Sequence, residues 1–329
     1  MSFLALAAGA LIQLASPGPP GPSTTAPTPP EPAPLVEEMA GVGTGTATVD
    51  GITDYYERMT VPVTIGGEGP FRFMIDTGAQ ATVVTRGLSE RLALKSLGQA
   101  TVVGMASRRQ VELVQLDGLE FAARTFDDIH APLLEARHVG ADGILGLDSL
   151  QDLRVLIDFR AGTIAVDDAE ALGGDRGYEI VVRARRKLGR LIIADALIDG
   201  VKTAVVIDTG AQGNLGNPVL QKRLRAQKQE QVRSTDVHGV DLIGNLDFVE
   251  RLKIDRFELA NVPVAFADGP AFAALGLDKK PALILGMRDL RLFDRVAIDF
   301  GSRTVLFDLP PDVGDRMDEV RQKYSATRL

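Results

Sequence analysis

The residues best placed by type and spacing to do chemistry are Asp76 and Asp208. Each is the second member of the same six-residue run, Ile75-Asp-Thr-Gly-Ala-Gln80 and, 132 positions later, Ile207-Asp-Thr-Gly-Ala-Gln212. Two carboxylates held side by side cannot both ionise cheaply, so they share a proton over a working pH range. The ionised member can then take a proton from a water, the water can attack a carbonyl carbon, and the protonated member can donate to the developing oxyanion. This is hydrolysis without a metal or a covalent intermediate. Thr77 and Thr209 offer hydroxyls able to bond across the axis of such a pair, and Gly78 and Gly210 allow the backbone to come close to the carboxylates. A single Asp-Thr-Gly is equally well an Asx-type turn, in which the carboxylate caps its own loop. The second copy favours the paired reading, because the two halves differ nearly everywhere else.

Other chemistries have little to build on. The chain has no cysteine, so thiol nucleophiles, disulfides and thiolate metal sites are excluded, while the redox compartment stays open. Its three histidines, His130, His138 and His238, do not stand at the i, i+4 spacing of a helical zinc pair, and neither metal nor cofactor is expected. Ser149 lacks the flanks of a nucleophile elbow. A net charge of -8 and a pI near 5.1 argue against nucleic acid as a partner and for a peptide or protein.

The elements that must position the pair are short strands. Phe71–Ile75 and Thr203–Ile207 read as buried strands ending abruptly at Asp-Thr-Gly, and beyond about Val42 the chain alternates Val, Ile, Leu and Phe runs with Gly, Asp and Asn turns. Short helices are expected near Ser89–Ala93 and Val219–Ala226, with a further helical pattern in the tail at Val313–Tyr324. Two more landmarks repeat in order: Gly143-Ile-Leu-Gly146 with Leu283-Ile-Leu-Gly286, and Ile157-Asp-Phe159 with Ile298-Asp-Phe300. The unequal offsets put a few extra residues in loops of the second half. The expected organisation is an apolar N-terminal segment (1–16), a Pro-rich spacer (17–41), two lobes (42–170 and 177–311) joined through polar Asp168–Gly177, and a polar tail (312–329). The N-terminal segment has the length of a signal-peptide core, so the chain is expected to be periplasmic or otherwise exported; a weak membrane tether is the alternative.

Hydrophobic-hydrophobic-Asp-Thr-Gly-Ala followed by hydrophobic-hydrophobic-Gly resembles the signature of retropepsin-like aspartic proteases, including bacterial exported members, over roughly residues 45 to 310. The resemblance implies a mainly β, bilobal acid-protease fold. It implies a catalytic pair, Asp76 and Asp208, threonines that grip across the lobes, and a loop supported from beneath by Ile144, Leu145 and Gly146 and by Ile284, Leu285 and Gly286. Both aspartates lie on one chain, so a single chain is expected to suffice for the site. A substrate polypeptide would lie between the lobes as an extended strand. Pepsin-like enzymes tend to carry a hydroxyl residue where Ala79 and Ala211 stand here, which sets the expected pH optimum at mildly acidic to near neutral. The family closes a hairpin flap over its substrate. Val102–Ser107, with Gly104 and Met105, and Val237–Val240, with His238 and Gly239, occupy flap positions, though Met105 and His238 read more readily as packing or loop residues.

The basic run Arg183, Arg185, Arg186, Lys187 and Arg190 reads as a solvated hairpin, as do Arg108 and Arg109. The expected activity is that of an aspartic endopeptidase, leaning to selective processing of protein targets. A noncatalytic peptide-binding or envelope scaffold protein on the same fold is the alternative.

Overall fold

The computed structural model describes residues 5–7, 14–15, 48–50, 52–53, 59–122, 124–187, 190–225 and 230–310. The Pro-rich spacer, most of the N-terminal apolar segment and the polar tail expected at 312–329 lie outside the described residues.

The fold is mainly β and bilobal, with one sheet for each copy of the repeat and a third sheet shared between them. In the first lobe, the hairpin Met59–Ile65/Glu68–Ile75 pairs through Gly143–Leu145 with Val83–Thr85, and onward with Ile129–Leu134, Arg108–Leu116 and Ser96–Val103. In the second lobe, Arg190–Ile198 and Val201–Ile207 take the place of that hairpin. Ala282–Leu285, Asn214–Gly216, Phe257–Phe266, Asp241–Ile254 and Glu230–Thr235 follow in the same spatial order. Val, Ile and Phe dominate these strands because both faces are covered, and Phe73, Ile144, Val205 and Ile284 are fully buried.

The third sheet fastens the halves together. Its central pair is Arg154–Asp158 antiparallel to Arg295–Asp299, with Val155 opposite Ile298 and Ile157 opposite Val296. The repeated Ile-Asp-Phe landmarks are therefore the strands that join the lobes. One hydrophobic core runs through this sheet from Phe73 to Phe307. Arg154 is buried in it and donates to Asp299 at 2.7 Å.

Two helices differ from expectation at their ends. The first spans Arg86–Arg91 and stops at Leu92, since Ala93 adopts a left-handed φ of 49°. The second spans Pro218–Leu224: Asn217 accepts the Leu220 N–H at 2.8 Å, Pro218 opens the first turn, and Arg225 ends it in a left-handed conformation. The extra residues of the second half lie in the connection 267–281, which contains the helix Pro270–Ala274. Short stretches of the N-terminal segment extend the sheet edges: Ala5–Ala7 runs parallel to Arg233–Thr235, and Leu14–Ala15 pairs with Thr101 and Val102.

Candidate active site

Each aspartate stands where a buried strand gives way to a turn. Asp76 follows Ile75 and donates its N–H to the Leu145 carbonyl at 3.1 Å; Asp208 follows Ile207 and donates to Leu285 at 3.0 Å. The Asp76 Oδ1 accepts N–H bonds from Gly78 (2.8 Å) and Ala79 (2.9 Å), and the Asp208 Oδ1 accepts them from Gly210 (2.9 Å) and Ala211 (3.1 Å). The Asx turn and the carboxylate pair are thus one geometry, not alternatives. Two loop N–H groups fix one oxygen of each carboxylate, and the two carboxyls also hydrogen-bond each other.

The threonines lock the loops together. Thr209 Oγ1 accepts the Thr77 N–H at 3.0 Å and donates to the Ile75 carbonyl at 2.7 Å; Thr77 Oγ1 accepts the Thr209 N–H at 3.2 Å and donates to Ile207 at 2.9 Å. The glycines are also reciprocal. A Cβ on Gly78 would lie 2.5 Å from the Asp208 Cγ, and one on Gly210 would overlap the Asp76 carboxyl. Each glycine therefore admits the carboxylate of the opposite lobe, which is why no side chain fits at either position.

Both aspartates are fully buried. Burial raises the Asp76 carboxyl well above the usual range, and the Asp208 charge raises it further. Burial also raises Asp208, opposed by its hydrogen bond with Asp76, by the loop N–H groups and by the Arg190 charge. A buried pair with raised proton affinity can hold one proton between its two carboxyls, which is the arrangement an acid and a base acting together require. The Ala79 and Ala211 side chains offer no hydroxyl, and only their backbone N–H groups reach the carboxylates.

The strand Gly143–Leu145 runs parallel to Phe73–Ile75, and Ala282–Leu285 runs parallel to Ala204–Ile207, so Ile144, Leu145, Ile284 and Leu285 flank the strands that deliver the aspartates. Gly146 lies against the Ala81 backbone and Gly286 against the backbone of Ala211 and Gly213. Behind these stand residues that the sequence analysis did not single out. Asp148 accepts the Thr82 N–H at 2.9 Å and its hydroxyl at 2.6 Å, and Thr82 Oγ1 accepts the Gly146 N–H at 3.2 Å. In the second lobe Asn214 does the same work, donating to Asp289 and accepting the Gly286 N–H at 3.1 Å. Part of their signal was the repeat itself, which sets Thr82 opposite Asn214; Asp289 falls opposite Ser149, one place beyond Asp148, so the two carboxylates do the same work from adjacent positions of the repeat.

Both flap candidates form hairpin tips, and the structure brings them together. Ser107 Oγ bonds Asp236 Oδ2 at 2.7 Å and His238 Nδ1 at 2.8 Å, and the Ala106 N–H donates to Asp236 at 3.2 Å. Burial pushes the Asp236 carboxyl up, but bonds from His238, Ser107 and Val240 outweigh it and hold it well below the usual range. Gly104 lies against the Asp236 carboxylate and Gly239 against the His138 ring. Met105 is buried in the second lobe's cluster with Ala211 and Ile192. Val237 is buried with Ala79 and Val83 in the first lobe. Each tip therefore packs onto the opposite lobe, beside its Asp-Thr-Gly-Ala run.

One expectation is overturned. Arg183, Arg185 and Arg186 are exposed as a solvated hairpin requires, but Arg190 is fully buried and its Nε donates to the Gly78 carbonyl at 2.7 Å. It opens the strand next to Val201–Ile207, which leads into Asp208, and the register Ile192 opposite Val206 carries it inward. The sequence held a signal for it: Arg190 precedes Asp208 by the interval at which Arg58 precedes Asp76.

A family model described as aspartyl protease matches residues 61–149 and 194–288, more than half of the chain, and the chain belongs to that family. Among solved structures it is similar to a retropepsin-like aspartic protease from Rickettsia conorii. The two are 20% identical with a TM-score of 0.31, and the match covers 40% of this chain and 89% of that one. No curated protein matches the chain.

Proposed function

We infer that the chain is an aspartic endopeptidase whose catalytic pair is Asp76 and Asp208. The observation that carries this reading is a pair of fully buried carboxylates, each with one oxygen fixed by two loop N–H groups and with raised proton affinity. A substrate polypeptide binds as an extended strand between the lobes, beneath the two hairpins. The ionised carboxylate takes a proton from water as the water oxygen bonds to the peptide carbonyl carbon, and the protonated partner gives its proton to the carbonyl oxygen. Breaking the C–N bond then transfers a proton to the departing nitrogen, leaving a carboxyl group and an amine. No residue forms a covalent bond to substrate.

The hairpins cover the pair, so a substrate must part Ser107 from Asp236 and displace Met105 and Val237 before reaching it. Such a gate favours segments of protein able to open it and supports selective processing over general degradation. The N-terminal apolar segment supports action in the periplasm or elsewhere outside the cytoplasm. The test is cleavage of a mixed protein and peptide library by residues 35–329, run beside Asp76→Asn and Asp208→Asn. Each substitution is expected to abolish cleavage while leaving the fold intact. Equal cleavage by all three proteins would remove the aspartates from the mechanism, and wild-type binding without cleavage would assign a peptide-holding role.

A further inference from the structure

A guanidinium carried by the second lobe touches the first lobe's active-site loop, and nothing in the reaction described so far uses it. Arg190 is fully buried: its accessible surface is 0%. Burying a cation without a compensating charge is costly. Arg154, the other large buried cation, meets Asp299 and Asp175 at 2.7 Å. The carboxylates acting on Arg190 are Asp208 first and Asp76 second, against burial that pulls the guanidinium down to about 10, still protonated at any working pH. Its Nε–H is spent on the carbonyl of Gly78, the residue that abuts the Asp208 carboxylate. Arg190 lowers the proton affinity of Asp208 and feels the charge of both aspartates. Asp148 and Asp289 lie behind the loops, bonded to Thr82 and Asn214.

We propose that Arg190 is a positioning residue of the catalytic pair, clamping the first lobe's loop through the Gly78 carbonyl and supplying a buried positive charge that favours ionisation of one aspartate. The inference rests on the reading of Asp76 and Asp208 as the reacting pair. A buried cation beside the pair lowers its proton affinity, so it favours the singly ionised pair that the reaction requires over the doubly protonated pair, which has no base to activate water. Its removal lets the pair hold its second proton to higher pH, which moves the acidic limb of the rate profile upward.

The experiment compares wild type, Arg190→Lys and Arg190→Met in pH–rate profiles, with calorimetric binding of a statine-type transition-state mimic over the same pH range. Arg190→Met is expected to move the acidic limb up by about one pH unit and to lower kcat at least roughly tenfold. Arg190→Lys keeps the charge and is expected to hold the limb near its wild-type position while losing part of kcat with the Nε bond. Binding of the mimic should shift with the rate limb in each variant. An unmoved limb in Arg190→Met, with or without a fall in kcat, overturns the proposal. Failure of both variants to fold also overturns it, by assigning Arg190 to the architecture of the lobe interface. A wild type that neither cleaves nor binds the mimic fails differently, sinking the dyad reading and this inference with it.

Discussion

At positions 78 and 210 the space a methyl group needs is already taken by the opposite carboxyl, so a one-carbon substitution tests the pair's geometry. Gly78→Ala places its Cβ 2.5 Å from the Asp208 Cγ and must push the two carboxylates apart. We expect the variant to fold and kcat to fall by about 100-fold or more, as displacements near 1 Å do to aligned reacting groups; kcat within a few-fold of wild type would show that the approach is not needed. Asp289 gives a second residue-scale expectation. Burial raises its carboxyl to about 6, against opposing help from Asn214 and Arg288. From the unfolded value of about 3.9 up to about 6, the folded chain holds a proton that the unfolded chain has released, so this group's contribution to stability declines as pH rises, by about 3 kcal/mol in all. Asp289→Asn removes that decline. Urea unfolding of the two proteins at pH 4 and pH 7 should show the stability of the variant minus that of wild type increasing by about this amount. A difference that stays flat would mean that Asp289 ionises without penalty.

At the scale of elements, the hairpin tips form a cross-lobe clasp centred on Asp236, which accepts bonds from Ala106 and Ser107 of the first lobe and from His238 and Val240 of its own. Its low carboxyl range means that this stabilisation is present above the unfolded value of about 3.9 and is lost as pH falls through the lower folded value, so the clasp persists in mild acid. Asp236→Ala leaves several buried donors without an acceptor, at a cost of about 2–3 kcal/mol. Amide hydrogen exchange at residues 102–107 and 235–240 should then accelerate roughly 30- to 100-fold, with the strands Phe71–Ile75 and Thr203–Ile207 unchanged; unaltered exchange at the tips would show that apolar packing of Met105 and Val237 holds them alone. The elements that were legible in the sequence are those whose cause is local. A buried strand breaking at Asp-Thr-Gly, a Gly-bounded strand beneath it and an Asn-Pro helix start each carry their reason within a few residues. The clasp and Arg190 do not. Ser107 and Asp236 are 129 residues apart, and Arg190 and Gly78 are 112 apart. Arg190 also stands in a basic run whose other arginines face water, so only the packing of the second lobe against the first tells them apart. The helix ends missed expectation for a related reason, since the left-handed turns at Ala93 and Arg225 fall on residues with no special preference for them.

For the whole molecule, the question is whether one chain makes one site. Every contact that defines the pair is internal: Thr77 with Thr209, Gly78 with Asp208, Gly210 with Asp76. The strands Arg154–Asp158 and Arg295–Asp299 pair over five residues each, with the buried Arg154–Asp299 contact at one end, so the lobes are fastened before any second copy is met. If the pair instead formed between copies, Asp76 of one would meet Asp208 of another, and mixing copies inactivated at different aspartates would restore part of the activity. Here the two aspartates lie on one chain whose lobes are paired through the shared sheet, and exchange would require separating the lobes through a continuous core. We therefore expect Asp76→Asn and Asp208→Asn to remain inactive when mixed in equal amounts, and wild-type activity per chain to be independent of concentration. Sedimentation should give a species near 35.1 kDa for the full chain that binds one transition-state mimic. Recovery of activity on mixing would mean that lobes from two chains swap, placing Asp208 of one copy beside Asp76 of another.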